Sequence, residues 1–199
     1  MARLARVVVP GFPHHIVQRG NRRQRVFFND GDRIGYLALL NAACQRSWVQ
    51  IWAYCLMQNH VHLIAVPERE DSLARCFSDA HVRYTRRINI REGWKGHLWQ
   101  ARFGSSVLDQ RYLLAAVRYV ERNPVRAGIV RYPWQYRWSS AAWHMGMVKR
   151  DPLVTDDAVL KSLIGDWEAY LTVNDDEAEL ESIEREAPVS RPLGNEEFL

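Results

Sequence analysis

The feature that most restricts this chain is Gln58-Asn59-His60-Val61-His62-Leu63-Ile64, two histidines one residue apart within an apolar run from Ile51 to Val66. Such a run reads as β-strand, where residues two apart share a face. The imidazoles of His60 and His62 then stand side by side, ~6.5–7 Å apart along the chain. They can converge on one divalent ion while Val61 points to the opposite face. Two hydrogen-bonded structural histidines are the plainer reading. A third ligand and a nucleophile elsewhere decide between the two.

The surrounding pattern supplies a sheet for that strand. Pro10-Gly11-Phe12-Pro13 opens a first strand, His14 to Arg19, followed by the basic turn Gly20-Asn21-Arg22-Arg23-Gln24-Arg25. Asp30-Gly31-Asp32 starts a helix that runs to near Ser47, since acidic residues suit a helix N-terminus. Trp48 to Met57 and then the histidine strand, ending at Pro67, form the next pair. After Asp71-Ser72, Leu73, Cys76, Phe77, Ala80 and Tyr84 make the apolar stripe of a second helix. Leu98 to Val107 reads as a fourth strand. Asp109 begins a third helix, which Pro124 is expected to end at Asn123.

This order is the split βαβ of a ferredoxin-like fold. The expected class is α+β: an antiparallel sheet with helices on one face, the other face free for a ligand, and the strands Ile51–Tyr54 and His60–His62 central. Residues 1–150 would form this domain. Residues 151–199 would be a small, acidic, helical extension, with Val159 to Leu171 as one amphipathic helix and the run from Asn174 to Glu186 as an exposed or partly disordered one.

Charge separates the two parts. Residues 1–150 hold 24 Lys and Arg against 9 Asp and Glu, a balance of +15, whereas residues 151–199 hold 3 against 14, a balance of −11. Nearly all the basic residues of the first part are arginine, which suits bidentate contacts to phosphates and base edges. A polyanionic partner, nucleic acid, is implied. Candidate contacts are Arg19, Asn21, Arg22, Arg23 and Arg25 around the first turn, Arg83, Arg86 and Arg87 on the second helix, and Arg118, Arg122 and Arg126 on the third. Trp134, Trp138 and Trp143 either stack on unpaired bases or pack against the sheet. Three scattered cysteines, Cys44, Cys55 and Cys76, imply no disulfide framework and favour a reducing cytoplasm. The N-terminal stretch is too short for a signal peptide or a membrane span.

Tyr119 and Asn123 lie four apart on the third helix, ~5–6 Å between β-carbons. His60, His62 and Asn123 could hold a divalent metal with open positions, and Tyr119 could attack a phosphodiester. The product is a 5′-phosphotyrosine and a free 3′-hydroxyl, a bond-conserving step that needs no ATP. The mixed nitrogen and oxygen set suits Mg²⁺ or Mn²⁺, with zinc also compatible. Tyr112, Tyr132 and Tyr136 are rival nucleophiles, but only Tyr119 has an amide one turn downstream.

His60-Val61-His62 with Tyr119-x-x-x-Asn123 resembles the HUH single-tyrosine transposases. Arg19-Gly20-Asn21, Asn59-His60-Val61-His62-Leu63, Arg118-Tyr119-Val120-Glu121-Arg122-Asn123-Pro124 and Trp138-Ser139-Ser140 are similar to motifs of the REP-associated tyrosine transposases, over roughly residues 1–145. The resemblance implies His60, His62 and Asn123 as metal ligands and Tyr119 as nucleophile. It also implies single-stranded DNA beside palindromic hairpins as substrate, and a monomer that uses its own tyrosine. That family often carries a tyrosine near the start of the first strand, where this chain has His14-His15. The alternatives are a hairpin-binding regulator without catalysis, and a metal hydrolase that uses water and keeps Tyr119 for structure.

Overall fold

Alternation of apolar residues along His14–Arg19, Val49–Leu56 and His60–Pro67 produces three strands, β1, β2 and β3, and Gly104–Val107 adds a fourth, β4. The computed structural model describes residues 6–156, 158–173, 176–186 and 191–194. The strands form one antiparallel sheet in the order β2-β3-β1-β4. Two helices, α1 (Asp30–Ser47) and α2 (Ser72–Glu92), connect β1 to β2 and β3 to β4, giving the expected ferredoxin-like α+β arrangement. Asn29 caps α1 by accepting from the Asp32 amide at 3.0 Å. The buried Asp32 carboxylate is in turn gripped by Arg91 of α2, which clamps the two helices together.

The central strands are β1 and β3, so β2 lies at an edge rather than in the middle. Its apolar character has another cause. The Leu56 amide donates to the Trp138 carbonyl at 2.8 Å, the Ser140 amide donates to the Tyr54 carbonyl at 3.1 Å, and Cys55 bridges Ser139. Trp138-Ser139-Ser140 thus shields the outer edge of β2, where unpaired amides and carbonyls would otherwise invite another strand. Trp138 is buried there, as packing rather than as a stacking platform.

Pairing parity sorts the strand residues. His14, Ile16, Val61, Leu63 and Ala65 face one side, which α1 and α2 cover. His15, Val17, His62 and Ile64 face the other. That second face is not open: α3 (Gln110–Arg126) crosses it, contacting β2 and β3. This helix does not stop at Asn123. It continues past Pro124 for another half turn, and the Ala127 amide still closes on the Asn123 carbonyl at 3.0 Å. A proline in the last turn forfeits one backbone bond without ending the helix, and Asn123 therefore stays in helical register with Tyr119.

Two further expectations give way to tertiary contacts. Residues 98–103 are not strand. Their backbone serves the basic turn instead: the Asn21 amide donates to the Leu98 carbonyl and the Gln100 amide to the Arg19 carbonyl. The apolar run from Val159 to Leu171 is two helices, α5 (Ala158–Leu163) and α6 (Trp167–Thr172), broken at Gly165 and restarted by the Asp166 cap. A short α4 (Ala141–His144) precedes them, and the acidic α7 (Glu177–Glu186) follows. Leu160, Trp167, Leu171, Ile183 and Leu193 join the same apolar core as the sheet. Buried Glu121 of α3 accepts from His144 Nδ1 at 2.6 Å and from the Ser140 hydroxyl, tying α3 to α4. Among the described residues no helix is long and apolar enough to cross a membrane.

Candidate active site

His60 and His62 leave β3 on one face, with ring centroids 4.9 Å apart and planes nearly perpendicular. From α3 the Tyr119 ring meets His62 edge-on at 5.2 Å. The Asn123 side chain lies close enough to both His60 and the Tyr119 phenol to raise the pKa of the first and lower that of the second. The four residues singled out in the sequence therefore meet at one place, although 57 positions separate His62 from Tyr119 in the chain. The rivals do not. Tyr136 donates its hydroxyl to the Leu56 carbonyl, Tyr132 stacks on Trp134, and Tyr112 lines a cleft formed with the C-terminal segment.

The turn after β1 sets the orientation of His60. Gly20 donates to the Asn59 carbonyl at 2.7 Å, and a β-carbon at Gly20 would lie 2.3 Å from the Gln24 carbonyl oxygen. Only glycine permits that approach. Asn59 Nδ2 donates to the Arg23 carbonyl at 3.0 Å, which turns its Oδ1 toward His60 Nδ1, 2.6 Å away. An amide oxygen can only accept, so the His60 proton sits on Nδ1 and its Nε2 carries the lone pair. Asn59 thus orients His60, a part that pattern alone marked only as membership of a motif.

His62 is held differently. Its Nδ1 lies 3.0 Å from Nε2 of His15, itself fully buried on β1, and the two rings stack at 5.2 Å. His62 Nε2 is buried with no hydrogen-bond partner. Burial keeps both candidate ligands neutral. The His60 pKa falls to about 4 through desolvation and the nearby Arg19 charge, against the pull of Asn123. That of His62 falls well below its usual value, through desolvation and then His60 and His15.

Two imidazole lone pairs, that of His62 orphaned in the interior, and a carboxamide form a donor set that fits a divalent cation. Among the described residues no group of three His, Cys, Asp or Glu side chains could hold one, so the amide of Asn123 is needed to complete the set. Burial raises the Tyr119 pKa above its usual value, and Glu184 adds to this. Arg126, Asn123 and Arg19 pull it back. The guanidinium of Arg126 lies 5.0 Å over the Tyr119 ring.

The arginines fall into two groups. Arg22, Arg23 and Arg25 are exposed on the turn beside Asn59, Arg19 opposes His60 on β1, and Asn21 is bound through its backbone. Arg83, Arg86 and Arg87 are exposed on α2, Arg83 paired with Asp79. Those of α3 are engaged by the C-terminal segment: Arg118 lies 4.0 Å from Glu179, Arg122 donates to the Val173 carbonyl, and Arg126 pairs with Glu184 at 2.9 Å. A cleft of about 700 Å³ opens between α2 and residues 94–101, lined by Val82, Arg86, Ile90, Trp94, His97 and Trp99 among others, with no carboxylate in its wall. Trp94 is 42% exposed there, and Trp99 bridges Gly20 of the basic turn.

Residues 9–123 match the family model described as transposase IS200-like. The chain belongs to the IS200-like transposase family. A solved structure of a REP-associated tyrosine transposase bound to a REP hairpin has the same fold, with a TM-score of 0.62 and 18% identity over 79% of this chain and 93% of that one. A candidate transposase from Deinococcus radiodurans R1 aligns over 61% of this chain and 97% of its own, with 17% identity and a TM-score of 0.43, too loosely to carry an argument. No curated protein matches. The family model ends at the Asn123 of this IS200-like transposase and so takes in all four residues that meet at the site.

Proposed function

We propose that this transposase nicks and rejoins single-stranded DNA beside hairpins of the REP type, through a covalent bond to Tyr119. The observation that carries the reading is the meeting of His60, His62, Asn123 and Tyr119 at one place, with the His62 Nε2 buried and unpartnered. His60, His62 and Asn123 would hold Mg²⁺ or Mn²⁺. A bound divalent ion supplies Lewis acidity at a phosphodiester oxygen.

The chain's own groups do the rest. Asn123, next to the phenol, helps to orient Tyr119 for attack. The Tyr119 oxygen bonds to phosphorus as the bond to the 3′ oxygen breaks. The phenol loses its proton and the departing 3′ oxygen gains one, leaving a 5′-phosphotyrosine that the reverse reaction can rejoin. Arg19 and the exposed arginines of the turn and of α2 contact the backbone. Bases unpaired next to the hairpin enter the cleft at Trp94, whose indole offers a stacking surface. Because Tyr119 packs on the histidines of its own sheet, one chain holds a whole site, which supports action as a monomer.

A hairpin-binding regulator without catalysis draws on a different observation, since Tyr119 is only 6% exposed and its neighbour Arg126 is paired with Glu184. Incubating a hairpin oligonucleotide carrying a single-stranded extension with Mn²⁺ separates the two. We expect a denaturation-resistant protein–DNA adduct that Tyr119→Phe abolishes. Tight binding with no adduct from the wild type supports the regulator, and continued cutting by the Phe variant points to a water-using hydrolase.

A further inference from the structure

The two candidate ligands differ in what holds the far side of each ring. Behind His60 stands the Asn59 amide oxygen, which can only accept. Behind His62 stands His15, a second imidazole, which can accept or donate according to where it carries its own proton. We propose that His15 is a positioning residue for His62: it accepts the Nδ1 proton of His62 and thereby bares the Nε2 lone pair for a cation. The inference rests on the metal-site reading above.

The geometry favours such a role over simple filling of space. His15 and His62 are diagonal neighbours on the two central strands, since His15 opposes Ile64 and His62 opposes Val17. Both are buried, their rings are within 13° of parallel, and the nitrogens are 3.0 Å apart. Strand backbones hold the pair more firmly than loops would. A neutral imidazole carries one proton. If His62 donates from Nδ1, its Nε2 is free for a cation and His15 keeps its proton on Nδ1. If His15 donates instead, His62 must carry a proton on Nε2, and the cation is excluded. Both outer nitrogens, His15 Nδ1 and His62 Nε2, lack partners among the described residues. Only the first arrangement admits a cation, and His15 can adopt it because its own proton can sit on Nδ1. The Tyr119 ring stands edge-on to both imidazoles, at 5.8 and 5.2 Å, so a correctly seated pair also seats the nucleophile.

The test uses the full chain with histidine nitrogens labelled. Long-range proton–nitrogen spectra with Mg²⁺ should show His62 protonated at Nδ1 and unprotonated at Nε2. Mn²⁺ affinity, followed by the loss of the free-ion electron spin resonance signal, should fall about 10–100-fold in His15→Leu, as for other residues that orient metal ligands. His15→Gln, whose side-chain oxygen can accept from His62, should recover most of the loss. A His15→Leu protein that binds Mn²⁺ like the wild type overturns the proposal, as does a His62 protonated at Nε2 in the Mg²⁺-loaded wild type. The second measurement stands even if His15→Leu fails to fold. A wild type that binds neither ion overturns the metal-site reading itself, and this inference with it.

Discussion

The two faces of one sheet treat their histidines in opposite ways. On the face covered by α1 and α2, His14 is satisfied at both nitrogens: Nδ1 donates to the Phe12 carbonyl at 2.8 Å and Nε2 accepts from the Val9 amide at 3.2 Å. His81 of α2 is bonded to the Tyr36 hydroxyl at 3.0 Å. On the face covered by α3, His15 Nδ1 and His62 Nε2 are left bare in the interior. Leaving a buried polar atom unmade costs about 1–3 kcal/mol, and proteins accept that where binding or chemistry needs the atom. The histidines of one face are thus bonded, while those of the other keep two imidazole nitrogens unpaired.

The sharpest way to break this contrast is to exchange the losses. Leu63→Ala, on the packed face, should cost about 2–5 kcal/mol in urea unfolding and leave Mn²⁺ affinity of the folded protein unchanged. Replacing His15 and His62 together by leucine should leave unfolding free energy equal or higher, because both partners of a buried polar pair are removed at once, while abolishing Mn²⁺ binding. A double variant as damaged as Leu63→Ala would show that both faces serve packing alike.

Acid should act through the buried histidines of both faces. Burial lowers the pKa values of His14, His15 and His60 to about 4 and that of His81 to about 3, against ~6.5 in the unfolded chain. Between those values the unfolded state binds more protons, so stability is complete above pH 6.5 and drains away as pH falls toward 4. A loss of at least ~2 kcal/mol over that window is expected in denaturant titrations. A flat profile would mean that these rings are not sealed in.

Smaller effects concern DNA. Trp94→Ala, on the cleft beside α2, should weaken binding of a hairpin with an unpaired extension by about 1–3 kcal/mol and spare a blunt hairpin. Equal losses on both would assign Trp94 a structural part. Glu184→Gln should raise adduct formation by up to ~5-fold, since an exposed pair such as that with Arg126 contributes at most ~1 kcal/mol, and the change also removes a charge that holds the Tyr119 phenol protonated. Unchanged or weaker cleavage would free α7 of any masking role.

Periodicity made much of this visible. The bounds of β1 and the starts of α1 and β3 follow from local pattern, and the i, i+4 spacing of Tyr119 and Asn123 survives because Pro124 does not stop α3. What escaped the pattern depends on partners far along the chain. Residues 98–103 carry strand formers but spend their hydrogen bonds on the basic turn. The apolar edge strand β2 looks central until residues 138–140 are laid against it. His15 gives one clue, a second histidine directly after His14 in a strand. The role that follows is legible only once β1 lies beside β3.

The seam between β2 and residues 138–140 has a practical corollary for anyone trimming this protein. The stretch that defines the family ends at 123, yet the lateral hydrogen bonds that close the sheet, and the His144 that answers Glu121, come from beyond it. A fragment cut at the family boundary would present a bare, sticky ribbon to its neighbours. The shortest piece worth expressing therefore runs at least through His144.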